Sequence, residues 1–439
     1  MRPAADSGMP HDKNMTECAT ATATARHRAC APGEVARHRT HQLFRGISSM
    51  RSIRPLLAAT GLVAALTLTA TACGPEEDSA AAKPSATGGA AEKDPAAGLP
   101  GDLGDALEKH GVDPEKWKKG EWKNWDKDGW LRKAEDFVNP VIDGLWKPER
   151  MASAEEPAKT MAAGDLSAGQ DVSDPEPAPV QAKPEKLPYH RYAAPVGKVF
   201  FDSPKGSMVC SGTVVKDPKN PGKSNLVWTA GHCVHAGAGG GWYRNIVFVP
   251  SYNDQGKNAA QLRTAQPQEI APYGTYWADW AASSGEWISG GGPTGGAGAP
   301  YDYAVLHVKP ENGTKSLEET VGNALPVSFD APEIQQISGM GAWGYPAGPP
   351  YDGLLMHQCV DRPGRLSIAP GTPTMYRIGC TMTGGSSGGG WFVAGPDGKS
   401  MLVSNTSIGP VTSGWLAGPR LGEDARRTFA TMSDKFAGR

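Results

Sequence analysis

The chain carries no excess of charge of either sign: 44 Lys and Arg face 46 Asp and Glu, for a net charge of -2. No field of one sign therefore draws it to a nucleic acid or an anionic surface, and no nucleic-acid partner is expected. Long hydrophobic runs are missing as well. A membrane span takes about 20 apolar residues, and the apolar run from Leu56 to Leu68 is too short. Apolar residues make up only 39% of the chain, while Gly (56) and Pro (38) fill more than a fifth of its 439 positions. That composition marks part of the chain as linker. Cysteines are few and unevenly placed: Cys18 and Cys30 lie near the start, Cys73 stands alone, and Cys210, Cys233, Cys359 and Cys380 fall in the second half. An even set of four in the region that reads as folded points to two disulfides and an oxidising compartment.

An export signal fits that compartment. From Met50 the chain reads MRSIRPLLAATGLVAALTLTATACG, a basic start followed by a short apolar run and small residues. Residues 50–72 are read as a signal peptide, and residues 1–49 as a disordered leader or a mispredicted start. The end of the signal has two readings. TACG resembles a bacterial lipobox, with Ala70 where Leu is usual, which would lipidate Cys73 and anchor the protein to the outer face of the membrane. Alternatively, Ala70-Thr71-Ala72 is a plain cleavage site, which releases a secreted protein and leaves Cys73 as an exposed thiol.

Residues 73–101 read as a disordered tether. Residues 102–151, with Trp117, Trp122, Trp125, Trp130 and Trp146 set among Lys and Asp, read as a partly helical segment with an apolar face. It is expected to pack on the body of the protein as a prosegment or tether. Residues 152–188 read as a second linker. From residue 189 to 439 short apolar runs alternate with Gly, Pro, Asn and Asp clusters, the texture of an all-β domain built as barrels or sandwiches. One helix is expected at the end, over Glu423 to Phe436, with Phe429, Met432 and Phe436 on one face.

Three stretches in this region carry chemistry, in the order His, Asp, Ser. WTAGHC holds His232 after an apolar run, YDYAVLHV holds Asp302 at the mouth of an alternating strand, and TGGSSGGGW holds Ser386 and Ser387 among glycines. A serine hydroxyl is a weak nucleophile until a base takes its proton, and an imidazole titrates in the right range to do so. A carboxylate must then fix the imidazole tautomer. The oxyanion that forms needs backbone N–H donors that converge where no side chain intrudes, which is a use for the glycines. His235 lies outside the His232 motif and is expected in a surface loop.

These motifs resemble those of the trypsin-like serine peptidases of chymotrypsin fold, in particular their secreted bacterial members, over Tyr189 to Arg439. The resemblance implies two six-stranded antiparallel β-barrels and a catalytic triad of His232, Asp302 and Ser387. The Gly-x-Ser-Gly-Gly frame fits Ser387 and not Ser386. It further implies oxyanion donors on Gly385 and Ser387, a disulfide Cys210–Cys233 closing the histidine loop, and Cys359 with Cys380 closing a second. Thr381 would lie at the base of the specificity pocket, with Ser404, Asn405 and Thr406 on the strand after the nucleophile. None of these is charged, and no histidine follows His357, so an uncharged side chain is expected before the cut. Two departures stand out. Gly388-Gly389-Gly390 replaces the usual Gly-Gly-Pro, and Ser386 stands where many animal members have an Asp that pairs with a freed N-terminus.

The reading is an exported serine endopeptidase that acts as a monomer on protein or peptide substrates with no cofactor and no metal. The alternatives are a catalytically inactive, peptidase-like surface binding module and an esterase. An esterase of the nucleophile-elbow type would show α/β alternation, which the sequence lacks.

Overall fold

The structure is a computed structural model that describes residues 107, 109, 112–125, 136–157, 160–161, 172–412 and 414–438. The leader, signal, tether and Cys73 expectations, and Trp130, lie outside the described residues. No helix among the described residues is long and apolar enough to cross a membrane.

Three short strands precede the main body: β1 (Asp136–Val138), β2 (Thr160–Met161) and β3 (Lys183–Pro184). Six follow: β4 (Val196–Ser203), β5 (Gly206–Val215), β6 (Leu226–Thr229), β7 (Arg244–Pro250), β8 (Tyr276–Ser283) and β9 (Ala304–Pro310). They pair antiparallel in the order β8-β7-β4-β5-β6-β9, and β8 pairs with β9 to close a six-stranded barrel. Strand β1 adds to the outside of β8. Successive residues of β4 go to two different apolar clusters, Val199 and Phe201 to one, Val196 and Phe200 to the other. That is the two-residue period of a strand with both faces covered, and it explains why these strands read as continuous apolar runs.

The second half holds β10 (Met340–Gly344), β11 (His357–Asp361), β12 (Gly364–Leu366), β13 (Met375–Cys380), β14 (Gly390–Ala394), β15 (Ser400–Asn405), β16 (Gly409–Pro410) and β17 (Gly414–Gly418). A second closed six-stranded barrel is expected here, and the ladders do not trace one in full. Among the described residues there are a five-stranded sheet, β15-β14-β10-β11-β3, and a three-stranded one, β12-β13-β17. No ladder joins β11 to β13; the Cys359–Cys380 disulfide and a bond from Gly379 N–H to the Asp361 carboxylate (2.8 Å) do so instead. The backbone of residues 178–182 lies where a ladder would run. Val180 accepts from Thr381 N–H (2.9 Å), and the Ala178 carbonyl lies 2.1 Å from where a Cβ on Gly379 would stand.

Those residues belong to the stretch expected as a linker. From residue 172 to 188 the chain is instead packed along the second half. Asp174 forms a two-pronged pair with Arg365 (2.9 and 3.2 Å), Glu185 N–H donates to Met356 (2.9 Å), and β3 pairs with β11. Its Pro and Glu content disfavours regular structure but not an extended edge strand.

The Trp-rich segment forms two one-turn helices, Pro114–Lys118 and Pro148–Ala152, each with Pro in its first turn, where a missing N–H costs nothing. Its anchor is Asn245, held at φ 53°, a region Asn tolerates better than most residues. Trp117 Nε1 donates to the Asn245 side chain (3.3 Å) and Trp146 Nε1 to its carbonyl (2.6 Å), while the Asn139 side chain accepts from its N–H (2.8 Å). Trp117 and Trp146 are buried. The helix at the chain's end covers Glu423–Lys435 and buries Ala425, Phe429 and Met432 against the first barrel. Phe436 stacks on His307 with ring centroids 3.5 Å apart.

Candidate active site

Strand β6 ends at Thr229 and leads into a single tight turn, Gly231–Cys233. Cys233 is bonded to Cys210 of β5, and the sequence separation of 23 residues corresponds to about 3 kcal/mol of loop-closure stabilisation. The turn delivers His232, which is 1% exposed. Its Nδ1 lies 2.7 Å from Asp302 Oδ2, and its backbone N–H donates to Asp302 Oδ1, also at 2.7 Å. Asp302, fully buried, sits between the turn Ala299–Tyr301 and β9. Its carboxylate also accepts from Ser407 Oγ (2.5 Å), and its carbonyl accepts from the Asn405 side-chain amide (3.0 Å). This set of donors holds the buried carboxylate in one orientation.

Ser387 stands just before β14 and is 4% exposed. Its carbonyl accepts from Ser211 N–H (2.7 Å). The Ser211 hydroxyl donates to the Gly385 carbonyl (2.9 Å) and accepts from Tyr345 N–H (2.9 Å), so one side chain of β5 pins the whole turn. Thr229 Oγ1, three residues before His232, donates to the Ser211 carbonyl (2.8 Å) and lies 2.1 Å from where a Cβ on Gly388 would stand. Gly388 has φ 77° and Gly385 has φ 90°, and a Cβ on Gly385 would lie 2.6 Å from the Tyr345 carbonyl. Only glycine fits both positions. Ser386 Oγ is turned away, donating to the Thr383 carbonyl (2.6 Å). Among the described residues no hydrogen bond joins Ser387 Oγ to His232; the two are linked through Ser211 and Thr229.

Planar trans peptides put N–H opposite C=O. The Gly384 carbonyl accepts from Ala347 N–H (2.6 Å), so the Gly385 N–H faces away from the loop that carries Ala347. The Ser386 carbonyl accepts from Gly389 N–H (3.0 Å), which turns the Ser387 N–H the other way. Among the described residues neither amide is taken by a protein acceptor.

Beside Ser387 opens a cavity of about 90 Å³, walled by Met382, Ile408, Trp415 and Leu416 with Thr406 and Ser407, and by no charged side chain. The pocket expectation is corrected in part. Thr406 lines the cavity, but Thr381 does not: its Oγ1 accepts from Ala182 N–H (2.9 Å) and meets the Tyr351 hydroxyl (3.0 Å). Ser404 and Asn405 are also outside the wall, and Asn405 instead accepts from Trp228 Nε1 (3.0 Å) and braces Asp302. His235, expected at the surface, is buried, with its ring edge-on to Trp242 at 5.1 Å. Sequence reasoning gave no role to Ser407 or to Ser211. The first carries no spacing signal; the only local mark on the second is that it directly follows Cys210.

Behind the turn, Lys198 of β4 is buried and donates from Nζ to the Gly353 carbonyl (2.8 Å), in the same loop as Ala347. Burial outweighs the nearby Asp352 charge and lowers its pKa from 10.5 to about 7. The unfolded chain therefore holds this proton to higher pH than the folded one. The cost of burying the ammonium is full below about pH 7 and is relieved as pH rises toward 10.5. Lys198→Met is expected to gain in Tm over the parent at about pH 6 and to lose that advantage at about pH 9. Parallel Tm curves would refute this assignment.

No protein-family model and no curated protein sequence matches the chain. Solved structures do. A thermostable serine protease from an extremophilic microorganism is 30% identical, with 55% of this chain and 98% of that one covered and a TM-score of 0.45. The protease Anisep from Arthrobacter nicotinovorans is 28% identical, with 58% and 99% covered and a TM-score of 0.45. A Glu endopeptidase is 15% identical, with 60% and 99% covered and a TM-score of 0.41. The chain is similar to these serine proteases, and on its own closed six-stranded barrel the three motifs meet in one buried cluster.

Proposed function

We propose that the protein is an active serine endopeptidase that works through an acyl-enzyme on Ser387. The carrying observation is the buried His232–Asp302 pair at 2.7 Å in the cluster that holds Ser387 between two positive-φ glycines. With Nδ1–H donated to Asp302, the imidazole Nε2 is left as the acceptor for the serine proton. Ser387 Oγ then attacks the peptide carbonyl, and the oxyanion is stabilised by the N–H groups of Gly385 and Ser387. His232 returns the proton to the leaving amine, and water repeats the sequence in reverse to release the acid. The uncharged cavity supports cleavage after an apolar or small polar residue, because an unpaired buried charge is costly.

Two disulfides support an oxidising destination, and we propose export, with Cys73 as the point of lipid attachment. The second reading is a peptidase-like module that binds without cutting. Reaction with a fluorophosphonate, with the modified residue mapped by mass spectrometry, separates the two. An active enzyme is labelled on Ser387 and cuts a peptide library after uncharged residues. No labelling in any form of the protein, or dominant cutting after Lys or Arg, would overturn the reading or its specificity respectively.

A further inference from the structure

Residues 155–156 and 160–161 have no part in the reaction just described, yet they touch three parts of the site. Glu155 runs parallel to Met208: its N–H donates to Ser207 (3.0 Å), and its carbonyl accepts from Val209 N–H (2.7 Å). Glu156 follows, with its Cγ 2.6 Å from where a Cβ on Gly384 would stand. Thr160 and Met161 form β2, paired parallel to Gly409 and Pro410 of β16. Gly384, Gly409 and Pro410 all line the cavity beside Ser387, and Gly384 is the residue before the oxyanion donor Gly385.

The direction of this run matters. In a substrate, the side chain that fills the cavity belongs to the residue whose carbonyl is attacked, so the acyl side of the substrate lies along the wall formed by residues 406–411. Its leaving side lies on the other flank of Ser387. Met208 is on that flank: it is three residues before Ser211, whose N–H holds the Ser387 carbonyl, and it is not part of the cavity wall. A productive peptide thus runs from β16 toward β5. The chain meets β5 first, at Glu155, and β16 later, at Thr160 and Met161.

We infer that residues 155–157 and 160–161 act as a built-in plug that occupies the peptide-binding edges of the cleft in the reverse direction, and that the full chain is held inactive until they are displaced. The inference rests on the peptidase reading. An extended substrate needs the backbone donors and acceptors of both edges, and those groups are already taken. A chain threaded backwards presents its carbonyls in the wrong orientation to the serine and the oxyanion donors, so it blocks without being cut. Being tethered, it needs little affinity: an effective concentration on the order of millimolar is enough.

The test uses the full chain and a double variant, Glu155→Pro with Thr160→Pro, which removes backbone donors from the segment and spares the catalytic cluster. Mass spectrometry establishes that both proteins are uncut when assayed. The variant is expected to hydrolyse an uncharged peptide substrate at least tenfold faster than the parent. A synthetic peptide of residues 152–163 added in trans is expected to slow it again. If the proline variant does not fold, Glu156→Gly, which leaves the backbone donors in place and removes the side chain over Gly384, is expected to raise the rate in the same direction. Equal rates for the uncut parent and a folded variant would overturn the plug and leave the peptidase reading standing. No fluorophosphonate labelling of Ser387 in either protein would overturn both.

Discussion

Ser387→Ala, introduced into the Glu155→Pro/Thr160→Pro variant, is expected to abolish peptide hydrolysis and fluorophosphonate labelling, a fall on the order of a million-fold, and to leave the thermal melt unchanged. The loss is this large because the serine and its base act as a unit, and without the nucleophile the remaining groups only bind and polarise. Ser386→Ala is the matched control. Its hydroxyl is spent on the Thr383 carbonyl at 2.6 Å, so its removal costs about 1 kcal/mol of stability and leaves most of the rate. Labelling that survives in the Ser387 variant, or vanishes in the Ser386 variant, would place the nucleophile one residue earlier and sink the assignment.

The second large effect belongs to Asp302. In Asp302→Asn the amide can still accept the His232 backbone N–H at its oxygen, but its NH₂ then faces Nδ1 and donates to it. That moves the imidazole proton to Nε2, where it can no longer accept from Ser387, and a fall in kcat of about ten-thousand-fold is expected. Ser407→Ala removes only the 2.5 Å donor on the same carboxylate. A charge-assisted bond of about 1.5 kcal/mol corresponds to a loss of about tenfold. Measuring kcat for both variants checks the ranking. Comparable losses in the two would mean that Ser407, and not the tautomer, governs the site.

What could be read in advance follows the range of the interactions. Strands of the first barrel such as β4 were legible because they write an apolar run locally, as in Val196 to Phe201, whereas β8, with Asp279 in its middle, was not. The three site motifs were legible because the turn around Ser387 and the loop at His232 demand particular residues at fixed local offsets. Ser211 and Ser407 were not, since what they do depends on partners 174 and 105 positions away. Thr381 was misplaced for the same reason: its hydroxyl is claimed by Ala182, 199 positions earlier. The stretch 172–188 looks like linker by composition because an edge strand held by backbone bonds and one Asp174–Arg365 pair needs little apolar content of its own. In the second half the backbone of residues 178–182 lies against Gly379 and Thr381 of β13 and its end, a contact between distant positions that no local pattern announces.

The two ends of the catalytic region are exchanged between its halves. The segment at residues 172–184, which precedes the first barrel in the chain, is laid along the second half through Asp174, Val180 and β3. The closing helix, which follows the second half, is laid on the first barrel, where Asn220 Nδ2 donates to the Phe436 carbonyl (2.9 Å). Neither half is complete with its own stretch of chain. A polypeptide leaving the ribosome can close the ring from β4 to β9 by itself, but the apolar surface under the closing helix stays bare until residues 423–436 have been made. Contacts of such wide sequence separation slow folding, so the two halves settle on each other late.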